Sequence, residues 1–332
     1  MIRQVYRLTG ERQFEICHVD TNIEKLVLVR PSYLSICAAD QRYYLGNRDP
    51  DVMNKKLPMA LLHEACGVVL EDYTKKFSKG DTVVIVPNIP NPTDTRVREN
   101  YQEGSKFRSS GCDGFMQSII PISSERLVKI NSKNLRHSVM CELLSVAICG
   151  IKKFLKYANI YDNDIIGIWG DGNVGFATAL ALKVYFKNVN IVIYGKNMAK
   201  LQYFSFANTN YSGKVHHAFE CVGGEKTESV LDEIIDCIYP QGIINLLGVS
   251  ENKIPLNTRM VLEKGLSLFG HSRSSKEDFE DAAKLIDNNE YIKRHFESII
   301  SQEIEINNIS DIHRAFEHDI YNDFKTILKW NI

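Results

Sequence analysis

The chain has 332 residues, of which 44% are hydrophobic and 24% are charged, a balance typical of globular proteins with apolar cores. This length suits two domains of ordinary size. The formal net charge of −1 argues against a general nucleic-acid partner, which would favour a strongly basic face, but it leaves room for a small anionic substrate.

Neither export nor membrane insertion is predicted by the sequence. Residues 1–6 lack the apolar core of a signal peptide, and no apolar run approaches the roughly 18 residues that a membrane helix requires. The eight cysteines are scattered singly without a CxxC pair, so we interpret them as reduced thiols. These features predict a cytoplasmic protein with no membrane partner.

The first part of the chain is predicted to form short strands and turns. Apolar, β-branched runs bounded by Gly, Pro or Asp predict strands at 27–30, 67–70 and 82–86. The segment 88–111 is polar and has prolines near its start, which predicts a long surface loop.

From about residue 146 the sequence alternates between strands and helices. Strands are predicted at 165–169, 191–194, 217–221 and 243–247, and helices at 174–185 and 228–238. This alternation indicates a parallel sheet covered by helices. The pattern lapses after about Gly270, and the tail 276–332 must pack elsewhere. We therefore predict a discontinuous first domain, residues 1–145 and 273–332, with a nucleotide-binding domain, residues 146–272, inserted into it.

A GxGxxG sequence, Gly170 to Gly175, lies between a predicted strand and a predicted helix. That context favours dinucleotide binding over an ordinary strand-to-helix turn. Gly170 would permit the tight turn, Gly172 would let a pyrophosphate approach the backbone, and Gly175 would let helix and strand pack closely. The pyrophosphate would lie at the positive end of the helix, beside Asn173 and Val174.

The end of the second strand of this domain predicts which cofactor binds. NAD enzymes usually carry Asp or Glu there, about 20 residues after the glycines, to bind the ribose 2′-OH. This chain has Gly195-Lys196-Asn197, with Lys200 one helical turn further on. We expect no carboxylate to repel a 2′-phosphate there, and a charge-assisted contact from Lys196 would contribute about 1.5–3 kcal/mol. The sequence therefore favours NADPH, although Lys196 as an ordinary solvated lysine is the alternative.

Four residues of the first domain have the side chains of a catalytic zinc site: Cys37, the adjacent pair His63 and Glu64, and Glu142. Catalytic zinc takes about three protein ligands of S, N and O type and keeps a position for water or substrate. Such a Lewis acid stabilises the negative charge that develops on a carbonyl oxygen during hydride transfer. Their spacing alone does not establish a zinc site. Without other evidence, Cys37 could be a buried thiol, His63 a hydrogen-bonded core histidine and Glu142 a surface carboxylate.

Three segments resemble the zinc-site motifs of the medium-chain dehydrogenase/reductase family, most closely those of its polyol dehydrogenases: SICAAD (35–40), LPMALLHE (57–64) and CELLSV (141–146). The segments FECVGG (219–224) and LGV (247–249) resemble later strands of that family's nucleotide domain. The resemblance implies an α/β protein with a GroES-like β-rich catalytic domain and a Rossmann doubly wound parallel-sheet domain. It also implies a homo-oligomer, a dimer or a tetramer.

In this family the zinc would be held by Cys37, His63, Glu64 and Glu142, the last either directly or through water. His63 and Glu64 are neighbours, so both can face one metal only where the backbone leaves regular strand geometry.

Four longer segments resemble the ribulose-5-phosphate reductase family: CAADQRYY (37–44), FRSSGCDGFMQ (107–117), GIWGDGNVG (167–175) and NTRMVLEKGLSLFG (257–270). This resemblance implies NADPH as the hydride donor, D-ribulose 5-phosphate as the substrate and D-ribitol 5-phosphate as the product. The product would feed CDP-ribitol for teichoic acids or capsules, which implies functional coupling to a ribitol-5-phosphate cytidylyltransferase.

The chain departs from the broad family at three places. Ala39 stands where many members have a proton-relay hydroxyl, so the proton would come through water, Glu64 or Glu142. The segment 88–112 contains only Cys112, where many members use four cysteines for a structural zinc, so we predict one zinc per chain. Leu143 replaces a common proline, with little chemical consequence.

Three arginines are candidates for binding the substrate phosphate, because the planar guanidinium suits a phosphate group. Arg42 falls where members with smaller substrates carry a histidine, Arg273 matches a substrate-contacting arginine of the polyol dehydrogenases, and Arg108 lies in the segment 88–111. The alternative for each is a surface arginine in an ion pair.

Two other functions stay open. The nearer is a zinc polyol dehydrogenase that acts on an unphosphorylated sugar alcohol with NAD. The remoter is a non-enzymatic dinucleotide-binding protein, since a fold does not fix a function.

Overall fold

The computed structural model describes residues 1–91, 94, 96–132 and 134–332. Its internal contacts divide the chain into two units: unit 1 comprises Met1–Glu142 and Ser274–Ile332, and unit 2 comprises Leu143–Arg273. These units are defined by contacts and not by independent folding. The domain boundaries predicted from the sequence, 145/146 and 272/273, therefore stay predictions. In the part of the chain that is described, no helix is long and apolar enough to cross a bilayer.

Short strands dominate the first 130 residues. The elements are β1 (Ile2–Gly10), β2 (Gln13–Asp20), β3 (Val27–Ser35), α1 (Ala38–Tyr44), α2 (Pro50–Lys56), β4 (Met59–Ala60), β5 (Glu64–Asp72), β6 (Thr82–Ile85), β7 (Asn88–Ile89), β8 (Lys106–Phe107), β9 (Ile120–Ile122) and β10 (Leu127–Ile130). Helix α3 (Cys141–Tyr157) follows.

Unit 2 contains the alternating part of the chain. Its elements are β11 (Ile165–Trp169), α4 (Asn173–Tyr185), β12 (Asn190–Tyr194), α5 (Met198–Leu201), β13 (Val215–Glu220), α6 (Thr227–Cys237), β14 (Ile238–Leu246), α7 (Thr258–Glu263) and β15 (Ser267–Gly270). The five strands form one parallel sheet in the order β12-β11-β13-β14-β15.

The carboxyl-terminal tail forms α8 (Lys276–Asn288), α9 (Glu290–Ser298), β16 (Ile300–Ile306), α10 (Ile309–Asp319) and β17 (Lys325–Trp330). Strand β17 pairs with β3 in antiparallel fashion and with β16 in parallel fashion. The main sheet of unit 1 runs in the order β10-β6-β5-β3-β17-β16, and β9 also pairs with β3. A smaller sheet has the order β2-β1-β4.

Each unit has its own apolar core. In unit 1 the sheets bury side chains such as Val29, Val69, Phe115 and Leu328. In unit 2 the inner side chains of β11, β13 and β14 pack against the apolar face of α6. Burying such surface contributes about 25 cal/mol per Å², which is what holds these short strands in place.

The predicted α/β class, a β-rich part together with a separate parallel sheet, is confirmed. The run predicted at 27–30 is the beginning of the longer strand β3, and the run predicted at 67–70 is the middle of β5, because a polar residue on an outward face does not end a strand. The prediction of a surface loop over 88–111 is wrong in part. Strands β7 and β8 pair within it, and the side chains of Asn88 and Ser109 are buried.

Candidate active site

Cys37 lies where the chain leaves β3 and enters α1. It is the N-cap residue of α1, and its backbone N–H donates to Asp40 Oδ2 at 3.2 Å. This return contact from the third helical residue is one half of a capping box, and it fixes the angle at which the helix begins. The thiol of Cys37 is therefore held at a defined position at the end of a core strand.

His63 and Glu64 follow an irregular turn of the backbone. Leu62 has a φ of +65°, and regular strand β5 begins only at Glu64. The turn is fixed because the N–H of Phe115 donates to the Leu62 carbonyl at 2.8 Å. At Gly114 a Cβ atom would lie 2.3 Å from that carbonyl oxygen, so only glycine fits there. Because of this local departure from strand geometry, the side chains of His63 and Glu64 both belong to one cluster, as the adjacent positions in the sequence required.

Asp40 connects these two segments, and sequence reasoning missed it. Its side chain is 1% exposed and accepts hydrogen bonds from Ser109 Oγ at 2.6 Å and the Leu62 N–H at 3.0 Å. Its Oδ2 lies 3.5 Å from His63 Nδ1. The only sequence signal was the spacing Cys-x-x-Asp at the start of α1.

The Asp40 and His63 side chains stabilise each other's charge. Burial alone would lower the pKa of His63, but the Asp40 carboxylate outweighs burial and raises that pKa well above its usual value. Burial alone would raise the pKa of Asp40, yet the facing imidazole keeps it below its usual range. Asp40 thus fixes the orientation of His63.

Lys325, from the tail strand β17, is a second functional residue that sequence reasoning missed. Its ammonium donates to Glu64 Oε1 at 2.5 Å, to Glu64 Oε2 at 2.6 Å and to the Ile36 carbonyl at 3.2 Å. Both charged side chains are only 1% exposed. Although burial alone would lower the pKa of Lys325, the carboxylate of Glu64 raises it. The ammonium therefore stays charged in the core.

Glu142 completes the cluster from the first turn of α3. Its side chain is buried, and burial together with the negative charge of Glu64 raises its pKa to about 7, against the opposing effect of His63. A carboxyl group that titrates near neutrality can both hold and release a proton under ordinary conditions.

The four predicted zinc ligands fall into two overlapping groups that share His63. Ligand atoms of Cys37, Asp40 and His63 lie within 4.8 Å of one another, and so do those of His63, Glu64 and Glu142. Sulfur, nitrogen and oxygen donors are the set that zinc prefers in catalytic sites. A carboxylate facing the ring of a histidine is also the usual companion of a metal-binding imidazole. The residues present therefore fit a zinc ion.

In unit 2 the glycine motif has the steric features predicted for it. Gly170 has a φ of +128°, and a Cβ at Gly175 would lie 2.0 Å from the Gly170 carbonyl oxygen. At Gly172 a Cβ would meet nothing within 4 Å among the described residues, so this side of the turn is open. Helix α4 begins directly afterwards, with Asn173 and Val174 as its first residues. A pyrophosphate would find room and free helical N–H groups there.

A carboxylate does occupy the end of β12, contrary to the prediction from sequence. Asp171, from the glycine turn, accepts hydrogen bonds at its Oδ2 from the N–H of Lys196 at 2.7 Å and of Asn197 at 2.8 Å. The prediction considered only residues that follow the second strand, whereas this carboxylate comes from the first turn. Asp171 and Lys196 border a cavity of about 270 Å³ whose lining also includes Gly170 and Lys226.

The three candidate arginines occupy different surroundings. Arg42 lies in the last turn of α1, and Arg108 is half-buried after β8, with Nη1 donating to the Asp113 carbonyl at 3.2 Å. Burial lowers the pKa of Arg108. Arg273 has a φ of +59° and is the last residue of unit 2, whereas Arg42 and Arg108 belong to unit 1 with the Cys37 cluster.

Comparison with known proteins assigns this arrangement to a family. Residues 23–132 match the alcohol dehydrogenase GroES-like domain, and residues 189–288 match the zinc-binding dehydrogenase domain. Ribulose-5-phosphate reductase 1 of Staphylococcus aureus is 44% identical over 99% of both chains. The chain belongs to the ribulose-5-phosphate reductase family of zinc-type dehydrogenases.

Other relatives agree with this assignment. The ribulose-5-phosphate reductase of Bacillus spizizenii is 41% identical over the full length of both chains. The crystal structure of S. aureus TarJ in complex with NADPH has a TM-score of 0.87 at 39% identity and covers 100% of both chains. The chain is therefore an oxidoreductase of this family, as the motifs around Cys37, His63 and Glu142 predicted.

Proposed function

We propose that the chain reduces D-ribulose 5-phosphate to D-ribitol 5-phosphate with NADPH at a single catalytic zinc. The observation that carries the proposal is the pair of donor groups that share His63: half-buried Cys37 with Asp40 and His63, and the buried set of His63, Glu64 and Glu142. Relatives that span the whole chain and bear the name ribulose-5-phosphate reductase supply the substrate class.

When bound, the zinc would polarise the C2 ketone so that it accepts a hydride. Around it, Asp40 orients His63, and Lys325 neutralises the buried carboxylate of Glu64. In this proposal a water or Glu142 supplies the proton for the new alcohol, since Ala39 has no hydroxyl and both oxygens of Glu64 accept from Lys325.

For the cofactor, we assign the pyrophosphate to the turn formed by Gly170, Gly172, Asn173, Val174 and Gly175. Lys196 is the proposed partner of the 2′-phosphate. In this proposal Asp171 fixes the backbone of Lys196 and Asn197, so the ammonium is presented from an ordered turn.

The proposed contacts of the substrate phosphate are Arg42, Arg108 and Arg273, because a planar guanidinium suits a phosphate group. We further propose a homo-oligomer, a dimer or a tetramer, that works in the cytoplasm. Its product would pass to a ribitol-5-phosphate cytidylyltransferase for teichoic acid or capsule synthesis.

One observation favours a second candidate, an NAD-linked polyol dehydrogenase. The carboxylate of Asp171 at the end of β12 is the kind of group that binds a ribose 2′-OH and repels a 2′-phosphate. Michaelis constants for NADPH and NADH decide between the two, because a clear preference for NADH would favour this second candidate.

The test combines turnover with metal analysis. We expect NADPH oxidation with D-ribulose 5-phosphate well above that with D-ribulose or D-fructose, and close to one zinc per chain. Cys37→Ser should lose zinc and turnover together while its circular dichroism is unchanged. Cys237→Ser, which removes a half-buried thiol in unit 2, should retain both. Full activity in Cys37→Ser would exclude the zinc mechanism.

A further inference from the structure

A cluster of hydrogen-bond donors lies beside the candidate zinc site in unit 1, at the end of α2. Lys56 is the last residue of that helix, and its ammonium donates to Tyr43 Oη at 3.0 Å and to Ser110 Oγ at 3.2 Å. An ammonium has three N–H donors, so one remains after these two contacts. Within the described residues, Lys56 forms no ion pair with a carboxylate.

Both hydroxyl groups also keep a proton to donate. Tyr43 and Ser110 accept from Lys56, and in the described part of the chain neither hydroxyl donates to a protein acceptor. One ammonium N–H and two O–H groups at this cluster therefore have no acceptor among the described residues. The guanidinium carbon of Arg48 lies 4.7 Å from the centre of the Tyr43 ring. Such an arrangement suits an anion with several acceptor oxygens.

The segment that carries Ser110 also borders the candidate zinc site. Phe107 packs its ring 5.3 Å from the ring of His63, and Ser109 donates to Asp40, the partner of His63. The N–H of Gly111 contacts Met59 Sδ at 3.0 Å, so the segment is fixed on both sides of Ser110. Ser110, which accepts from Lys56, directly follows Ser109, which donates to Asp40.

We infer that Lys56, Tyr43 and Ser110 form the subsite that binds the phosphate group of the substrate. This inference rests on the proposed function, and it adds a specificity-determining lysine to the arginines proposed above. In D-ribulose 5-phosphate the phosphate is attached three carbon–carbon bonds from the C2 ketone. The ketone would lie at the Cys37 and His63 cluster while the phosphate accepts from Lys56, Tyr43 and Ser110.

The experiment uses the zinc-loaded full chain with Lys56→Met, which keeps the length of the side chain and removes its charge. Lys55→Met is the matched control, since Lys55 is exposed in the same helical turn. We expect Lys56→Met to lower kcat/KM for D-ribulose 5-phosphate by about ten- to a hundredfold, mainly through KM, as for a lost charge-assisted contact. Turnover of D-ribulose should change less than twofold. Lys55→Met should leave both substrates unchanged, and Lys56→Arg should restore most of the preference.

Binding of inorganic phosphate, measured by calorimetry, provides a second readout. Wild type and Lys55→Met should bind phosphate at least tenfold more tightly than Lys56→Met. An equal loss on both sugars, or phosphate binding that does not depend on Lys56, overturns the subsite. If wild type shows no preference for the phosphorylated sugar, the proposed function fails by itself. Phosphate binding that still depends on Lys56 would then support an anion site with another ligand.

Discussion

The buried ion pair between Lys325 and Glu64 provides the sharpest stability test of unit 1. Replacing Lys325 by Met removes the ammonium but keeps a side chain of similar length. The ammonium makes three contacts, two with Glu64 and one with the Ile36 carbonyl, and both charged side chains are 1% exposed. Removing one partner of such a pair leaves an uncompensated charge in the core, which costs about 3–5 kcal/mol. We expect a loss of that size in the metal-free protein.

The assay exploits the two tryptophans, one in each unit. In a Trp169→Phe background, only Trp330 fluoresces, so urea denaturation reports on unit 1 alone. The free energy of unfolding would be measured for Lys325→Met, Glu64→Gln and the double variant. The double variant should lose less than the sum of the single losses, because it has no buried charge left unpaired. The double variant should also stay folded at urea concentrations that unfold Lys325→Met. A loss below about 1 kcal/mol, or strictly additive losses, would refute the reasoning.

Two further predictions follow from buried polar groups. Asp40→Asn should weaken zinc binding by about ten- to a hundredfold in a chelator competition, because Asp40 orients His63; unchanged affinity would contradict that role. Burial, helped by the charge of Lys153, lowers the pKa of His271 to about 4. The unfolded chain therefore takes up the proton first as the pH falls, and unit 2 should lose up to about 3 kcal/mol between pH 6.5 and pH 4. In a Trp330→Phe background, Trp169 fluorescence would follow this loss, and His271→Gln should flatten it; an identical slope in that variant would contradict the assignment.

Local patterns in the sequence predicted a large part of the molecule. The strand-to-helix context of Gly170 to Gly175 predicted the glycine turn before α4, because the steric requirements of that turn involve neighbours in the chain. The alternation of strands and helices after residue 146 predicted the parallel sheet, because a helix between two strands lets them lie parallel in one sheet. The motifs around Cys37, His63 and Glu142 predicted donor side chains that the fold does bring close together, since a zinc site needs particular donor atoms. The segment 88–111 was misjudged, because buried polar groups such as Asn88 give no apolar signal.

The companions of those residues depended on the tertiary structure. Asp171 reaches the end of β12 only because the parallel sheet places the first turn beside the second strand's end. Lys325 and Glu64 are 261 residues apart in the chain. They meet because Ser35 of β3 pairs with Ile327 of β17 on one side and with Glu64 of β5 on the other. Side chains on a strand alternate between faces, so Lys325 lies on the same face as Ile327, two residues further on. The sequence determined which donor atoms the chain offers to a metal. Strand pairing in unit 1 determined that the ammonium of Lys325 lies beside Glu64, one of those donors.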